Sequence, residues 1–175
     1  MIALIVLNYN DADTTVEYIK SVCFYDILNK IIVVDNCSTD DSWRKLLSLV
    51  SDKIDVIKTD YNGGYGYGNN FGILYAMRKY SLSQIIISNP DVFIAEETIK
   101  ACSDFLYKKL DCAAVAPMML DKNLRINYKC VWRIPTFMQY LFFSSFFLKY
   151  FFKKMYYDEV ELRPTISKTY CKVDC

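Results

Sequence analysis

The chain has 175 residues, 53% of them hydrophobic and 23% charged, with a formal charge of +1. That length buries one core and is short for two, and the charge balance excludes a disordered acidic tail and the basic footprint of a nucleic-acid binder. No histidine is present, which removes Ser-His-Asp and Cys-His nucleophiles, His-ligated zinc and an imidazole base together, so any chemistry runs on carboxylates, amides, hydroxyls or an added metal.

Short runs rich in Ile and Val alternate with helix-length amphipathic segments, which predicts an α/β fold of strand-helix-strand units around a mostly parallel sheet. The first run lacks a positively charged flank and breaks into polar Asn8-Tyr9-Asn10 too early for a secretory leader, so it reads as a buried strand over 2–7. Further strands are expected over 30–34, 54–58, 84–88 and 113–118, and helices over 13–24, 41–50, 69–79 and 95–109. Asp13 and the run Ser38-Thr39-Asp40-Asp41 offer capping oxygens at two of the helix starts.

In open α/β sheets ligands lie beyond the carboxyl ends of the strands. Here those ends read Asn8-Tyr9-Asn10, Asp35-Asn36, Asp60-Tyr61-Asn62 and Asn89-Pro90-Asp91, four polar tips expected on one edge. Asp35 at such a tip can accept hydrogen bonds from a base or ribose, or cap the next helix, and capping is the stronger reading for Asp40. Pro90 ends its strand and projects Asp91 from a rigid corner, which suits a hard-cation ligand; a plain turn before the next helix is the alternative.

All five glycines fall in Asn62-Gly63-Gly64-Tyr65-Gly66-Tyr67-Gly68-Asn69-Asn70-Phe71-Gly72. The expectation is a loop opening onto a helix N-terminus and offering N–H groups to a phosphate or sugar, with an irregular turn as the alternative. A Rossmann dinucleotide fingerprint is disfavoured because Phe71 stands where the third glycine belongs, and a Walker A loop because no Gly-Lys-Ser/Thr follows.

Seven cysteines form no CxxC pair, and the odd count points to reduced, buried thiols rather than a disulfide framework. Beyond about Leu120 the βα alternation ends, and residues 137–157 are dense in Phe and Tyr with Lys149, Lys153 and Lys154 interspersed. This stretch is too interrupted to span a bilayer; it reads either as a membrane-interface segment or as a helix packed on further protein, and either exposed surface favours homo-oligomers.

In order and spacing, Val6-Leu7-Asn8-Tyr9-Asn10, Val33-Val34-Asp35-Asn36-Cys37-Ser38-Thr39-Asp40-Asp41-Ser42, the glycine segment and Asn89-Pro90-Asp91-Val92 resemble family 2 glycosyltransferases of the GT-A fold, specifically their rhamnosyltransferase-like bacterial branch. The resemblance covers 1 to about 120 and implies a donor-binding core there, with 121–175 an incomplete acceptor-side or membrane-proximal segment. It implies a UDP- or dTDP-sugar donor, with Asn8, Tyr9 and Asn10 beside the nucleotide, Asp35 on the base, Gly64, Asn69 and Asn70 shaping the nucleotide and sugar pocket, and Asn36 and Asn62 also among the donor-binding residues. Asp91 would bind Mn²⁺ or Mg²⁺ and through it the diphosphate, with Asn89 where many relatives carry a first Asp.

The implied reaction is metal-assisted, inverting transfer to a hydroxyl of a glycan or lipid-linked acceptor in bacterial polysaccharide synthesis, in the cytoplasm or at the inner face of its membrane. The family's acidic base lies downstream of a strand that begins much like Lys172-Val173-Asp174, so the chain is expected to be C-terminally truncated, with its catalytic base unassigned. Asp158, Glu159 and Glu161 read better as an exposed helix end. A catalytically silent nucleotide-binding or interaction protein is the rival from another class. A nucleotidyltransferase is disfavoured because Asn8-Tyr9-Asn10 replaces that group's glycine-rich first loop.

Overall fold

A computed structural model describes residues 1–121, 123, 125 and 126. The aromatic stretch 137–157, the acidic group 158–161 and Cys130, Cys171 and Cys175 lie outside the described residues. The elements run β1 (Ile2–Asn8), α1 (Ala12–Val22), β2 (Lys30–Asp35), α2 (Ser42–Leu47), β3 (Ile54–Lys58), α3 (Gly64–Lys79), β4 (Gln84–Ser88) and α4 (Glu96–Lys108). The sheet order is β3-β2-β1-β4 with every pairing parallel, in a register that sets Ile5 beside Ile32, Asn8 beside Asp35 and Val6 beside Ser88.

Strand periodicity divides the core into two layers. Leu4, Val6, Ile31 and Val33 face one side and pack with Tyr18, Ile19 and Val22 of α1, Leu46 of α2 and Ile99 of α4. Ile5, Ile32 and Val34 face the other and pack with Ala76 of α3. Both faces of β1 and β2 are therefore covered, which is why these strands read as unbroken apolar runs. The three-layer α/β architecture expected from the sequence is the one observed.

Two expected elements differ. The segment 113–118 forms no strand; past it, Leu120 makes an isolated antiparallel bridge with Ile126. Helix α3 begins at Gly64, not at residue 69, so most of the supposed loop is its first turns. Low glycine propensity is overridden because the helix must lie close to the sheet. A Cβ at Gly68 would meet Leu7 Cδ1 at 2.3 Å, and one at Gly72 would meet Val34 Cγ2 at 2.7 Å and Ile5 Cγ2 at 2.8 Å. Together with Ala76, these residues at four-residue spacing make α3 a smooth ridge against β1 and β2.

The chain divides into two units between Val115 and Ala116. Among the described residues no helix is long and apolar enough to cross a membrane. Cys23, Cys37, Cys102 and Cys112 are free thiols, half-buried rather than fully buried as expected.

Candidate functional site

Because the chain passes from β3 across to β4, the strand order reverses between β1 and β4, and the crevice beyond the carboxyl ends is the place where such sheets bind ligands. Asn8 and Asp35 pair across it as the last residues of their strands.

Asp35 is wholly buried, a costly position for a carboxylate unless each oxygen is engaged. Asn8 Nδ2 donates to Oδ1 at 3.0 Å, and the Ser38 hydroxyl donates to the same oxygen. The Ser38 amide donates to Oδ2 at 3.3 Å, and Lys58 Nζ stands 3.5 Å from that oxygen. The network continues outward on both sides. Thr15 Oγ1 donates to Asn8 Oδ1 at 2.9 Å, fixing the amide's orientation, and Asn10 N donates to Ser38 Oγ at 2.9 Å. Asn10 then locks onto the next loop, accepting from Thr39 N at 2.8 Å and donating to Thr39 Oγ1 at 3.2 Å.

A second set ties β2 to the start of α3. Asn36 Nδ2 donates to Asn62 Oδ1 at 2.8 Å and to Gly64 O at 3.3 Å, while Asn62 Oδ1 also accepts from Gly64 N at 2.9 Å. Thr59 Oγ1 donates to Asn36 Oδ1 at 3.2 Å. Gly64 has φ +83°, a conformation other side chains rarely adopt. Asn69 is buried and donates to Tyr65 O at 3.0 Å, and its Oδ1 has no partner among the described residues.

The candidate residues thus separate into two groups. Asn8, Asp35, Asn36 and Asn69 are buried and form the frame; in particular, Asp35 spends both oxygens internally, one of them on the Ser38 amide, which accords with the local-capping alternative rather than a free carboxylate offered to a base or ribose. Asn70 is exposed on α3, on the side turned away from Gly68, Gly72 and the sheet they pack against, whereas Tyr9, Asn10, Asn62, Gly64, Asn89 and Asp91 are exposed at the strand ends and the loops beyond them. Tyr61 joins them, stacked on Tyr67 with ring centroids 4.6 Å apart. Asp40 accepts from Ser42 N at 2.9 Å just before α2, and hydrogen bonding from Ser42 holds its carboxyl below the usual range. Ser38, expected only as a helix-capping oxygen, completes the frame with Thr15, Lys58 and Thr59, to which the sequence assigned no site role. Ser38 carries a readable signal, a hydroxyl three residues after a strand-terminal Asp; the others are visible only once the strands are paired.

Among the described residues no three acidic or cysteine side chains converge on a point, so these residues do not cage a cation unaided. Asp91 and the amide oxygen of Asn89 are exposed hard donors two residues apart. That donor set fits Mg²⁺ or Mn²⁺ shared with a substrate's phosphates, a role in which one or two carboxylates suffice.

A parallel sheet whose carboxyl edge is built from interlocked amides, with an exposed carboxylate beside the switch point, is an open α/β domain with its candidate ligand crevice where such sheets bind their ligands. Residues 3–158 match the family model described as Glycosyl transferase family 2, and the chain belongs to that family. It is 27% identical over 125 residues to the low-salt glycan biosynthesis hexosyltransferase Agl10 of Haloferax volcanii, covering 70% of this chain and 38% of that protein. The mannosyltransferase PcManGT of Pyrobaculum calidifontis, solved with GDP-Man and Mn²⁺, superposes with a TM-score of 0.52 at 19% identity, over 60% of this chain and 32% of that one. S. aureus TarS 1-349 in complex with UDP-GlcNAc gives 0.53 at 21% identity, over 69% and 38%. These likenesses establish the GT-A type of fold. The chain spans well under half the length of the relatives it matches.

Proposed function

We propose that this chain is the donor-binding portion of a glycosyltransferase of the rhamnosyltransferase-like branch, moving a sugar from a UDP- or dTDP-linked donor to a hydroxyl of a glycan or lipid-linked acceptor during surface polysaccharide synthesis on the cytoplasmic side. Family membership supports the reaction class, and the hexosyltransferase relative and the nucleotide-sugar complexes of the structural neighbours support the donor class.

One observation carries this reading. Asn10 and Cys37 both hold left-handed backbones, with φ of 53° and 58°, at the tips of adjacent strands, and the buried Asp35–Ser38–Asn8 network over-determines them. Strain held in place by a buried charge at a ligand edge is the mark of a preorganised site. In this reading the frame fixes the edge, Tyr9, Asn10 and Asn62 meet the nucleoside and sugar, and Asp91 with Asn89 holds the divalent cation. That cation would supply Lewis acidity to the departing diphosphate. We assign no catalytic base.

The test is incubation of the chain with UDP-, dTDP- and GDP-hexoses and Mn²⁺, following release of nucleoside diphosphate. Release from one donor class supports transferase chemistry. Nucleotide binding without release is the outcome expected of a donor-binding portion alone, and a folded chain that binds neither the UDP nor the dTDP donor overturns the proposal.

A further inference from the structure

We propose that Tyr18 and Tyr25 are positioning residues for the divalent cation, bracing at both ends the loop that carries Asp91. The inference rests on the reading of Asp91 as the cation's protein ligand.

Asp91 lies in the stretch 89–95 between β4 and α4, which has no regular structure to orient it. Its side chain is exposed, and precision must come from whatever fixes the loop. At the near end Tyr18 OH donates to Ser88 Oγ at 2.7 Å, and Ser88 Oγ donates to Asn89 O at 3.2 Å, the peptide leading into Pro90 and Asp91. At the far end Tyr25 OH donates to Ile94 O at 3.0 Å, and Ile27 N donates to Glu96 Oε1 at 3.1 Å. All three anchors come from one stretch, α1 and the turn after it.

Between the anchors Val92 and Ile94 pack against the core while Asp91 and Phe93 face outward. The loop is thus pinned by apolar contacts from below and by a hydroxyl at each end. Tyr18 is 4% exposed, and burial raises its hydroxyl above the ordinary range despite the bond with Ser88, so it stays a donor throughout the physiological range. Phenylalanine would fill either ring position equally well; what each hydroxyl adds is a bond to this loop. Partners behind a metal ligand, though they touch neither metal nor substrate, set its orientation, and their loss typically costs 10–100-fold in metal affinity.

The test uses the full chain with Tyr18→Phe, Tyr25→Phe and the double variant, and the tightest-binding of UDP, dTDP and GDP. Electron paramagnetic resonance of free Mn²⁺ gives the cation affinity of the nucleotide complex; calorimetry without metal gives nucleotide affinity alone. The double variant is expected to lose roughly tenfold in Mn²⁺ affinity with metal-free nucleotide affinity unchanged. Ser88→Ala, which breaks the near relay without touching a tyrosine, is expected to reproduce the Tyr18→Phe loss and serves if a tyrosine variant does not fold. Wild-type Mn²⁺ affinity in all of these while Asp91→Asn abolishes it would overturn the brace and leave the Asp91 reading standing. A parallel fall in metal-free nucleotide binding would also overturn it, by showing a general structural role. Unchanged Mn²⁺ affinity in Asp91→Asn would remove the underlying reading.

Discussion

Replacing Gly72 by alanine sets two effects of opposite sign against each other. Alanine favours a helix interior over glycine by about 1 kcal/mol. Its Cβ, however, would lie 2.7 Å from Val34 Cγ2 and 2.8 Å from Ile5 Cγ2, on neighbouring strands and fully buried. Comfortable carbon contacts begin near ~3.5 Å, so α3 must retreat by nearly ~1 Å. Both opposing side chains are β-branched and stiff, which places the overpacking cost in the upper part of its usual range, about 2–3 kcal/mol. The net loss is then about 1–2 kcal/mol. Gly66→Ala is the internal control, because a Cβ there meets nothing within 4 Å, and it should gain about 0.5–1 kcal/mol. Urea unfolding followed by far-ultraviolet circular dichroism reads both, provided the slope with denaturant is unchanged. Equal gains from the two substitutions would refute close packing as the reason for glycine at position 72.

Two further perturbations probe other contacts. Asp35→Asn puts an N–H into a pocket already filled by the donors Asn8 Nδ2, Ser38 Oγ, Ser38 N and Lys58 Nζ; the expected loss is about 2–3 kcal/mol in the same unfolding experiment, with weaker nucleotide binding, and an isosteric substitution without cost would show the carboxylate is not the hub. Burial would raise the Asp55 carboxyl, but hydrogen bonds from Tyr80, Lys79 and Tyr75 outweigh it and hold its pKa below the ordinary value. Its contribution is therefore present above the unfolded-state value and lost as pH falls through the folded one. The stability gap between wild type and Asp55→Asn should narrow from pH 6 to pH 3, and a gap that widened over that interval would contradict the sign.

The sheet was legible because β1 and β2 are covered on both faces, so their residues had to be apolar in unbroken runs, and because Asn8 and Asp35 end those runs abruptly. The start of α3 was not legible. Glycine reads locally as loop, whereas Gly68 and Gly72 are small because Leu7, Ile5 and Val34 lie opposite them, a tertiary fact absent from any local window. The segment 113–118 misled in the other direction, its apolar character suggesting a strand that does not form. At the site, the strand ends pointed to Tyr9, Asn10, Asn62, Asn89 and Asp91, all of them exposed in the fold, while Gly64 came only from the family resemblance. The division of labour between buried frame and exposed rim was not legible, because the bonds of Thr15, Lys58 and Thr59 join residues 7 to 24 positions apart along the chain. Nothing in the sequence singles out Tyr18 and Tyr25; only the folded loop shows where their hydroxyls go.

The most direct test of the central claim is calorimetric titration of the folded chain with UDP, dTDP and GDP, each with and without Mn²⁺, on wild type and on Asp91→Asn. A donor site at the carboxyl edge predicts binding of at least one nucleotide, strengthened by Mn²⁺ in the wild type and insensitive to it in the variant. Folded wild-type protein that binds none of them, or a variant that keeps the full Mn²⁺ enhancement, would contradict it.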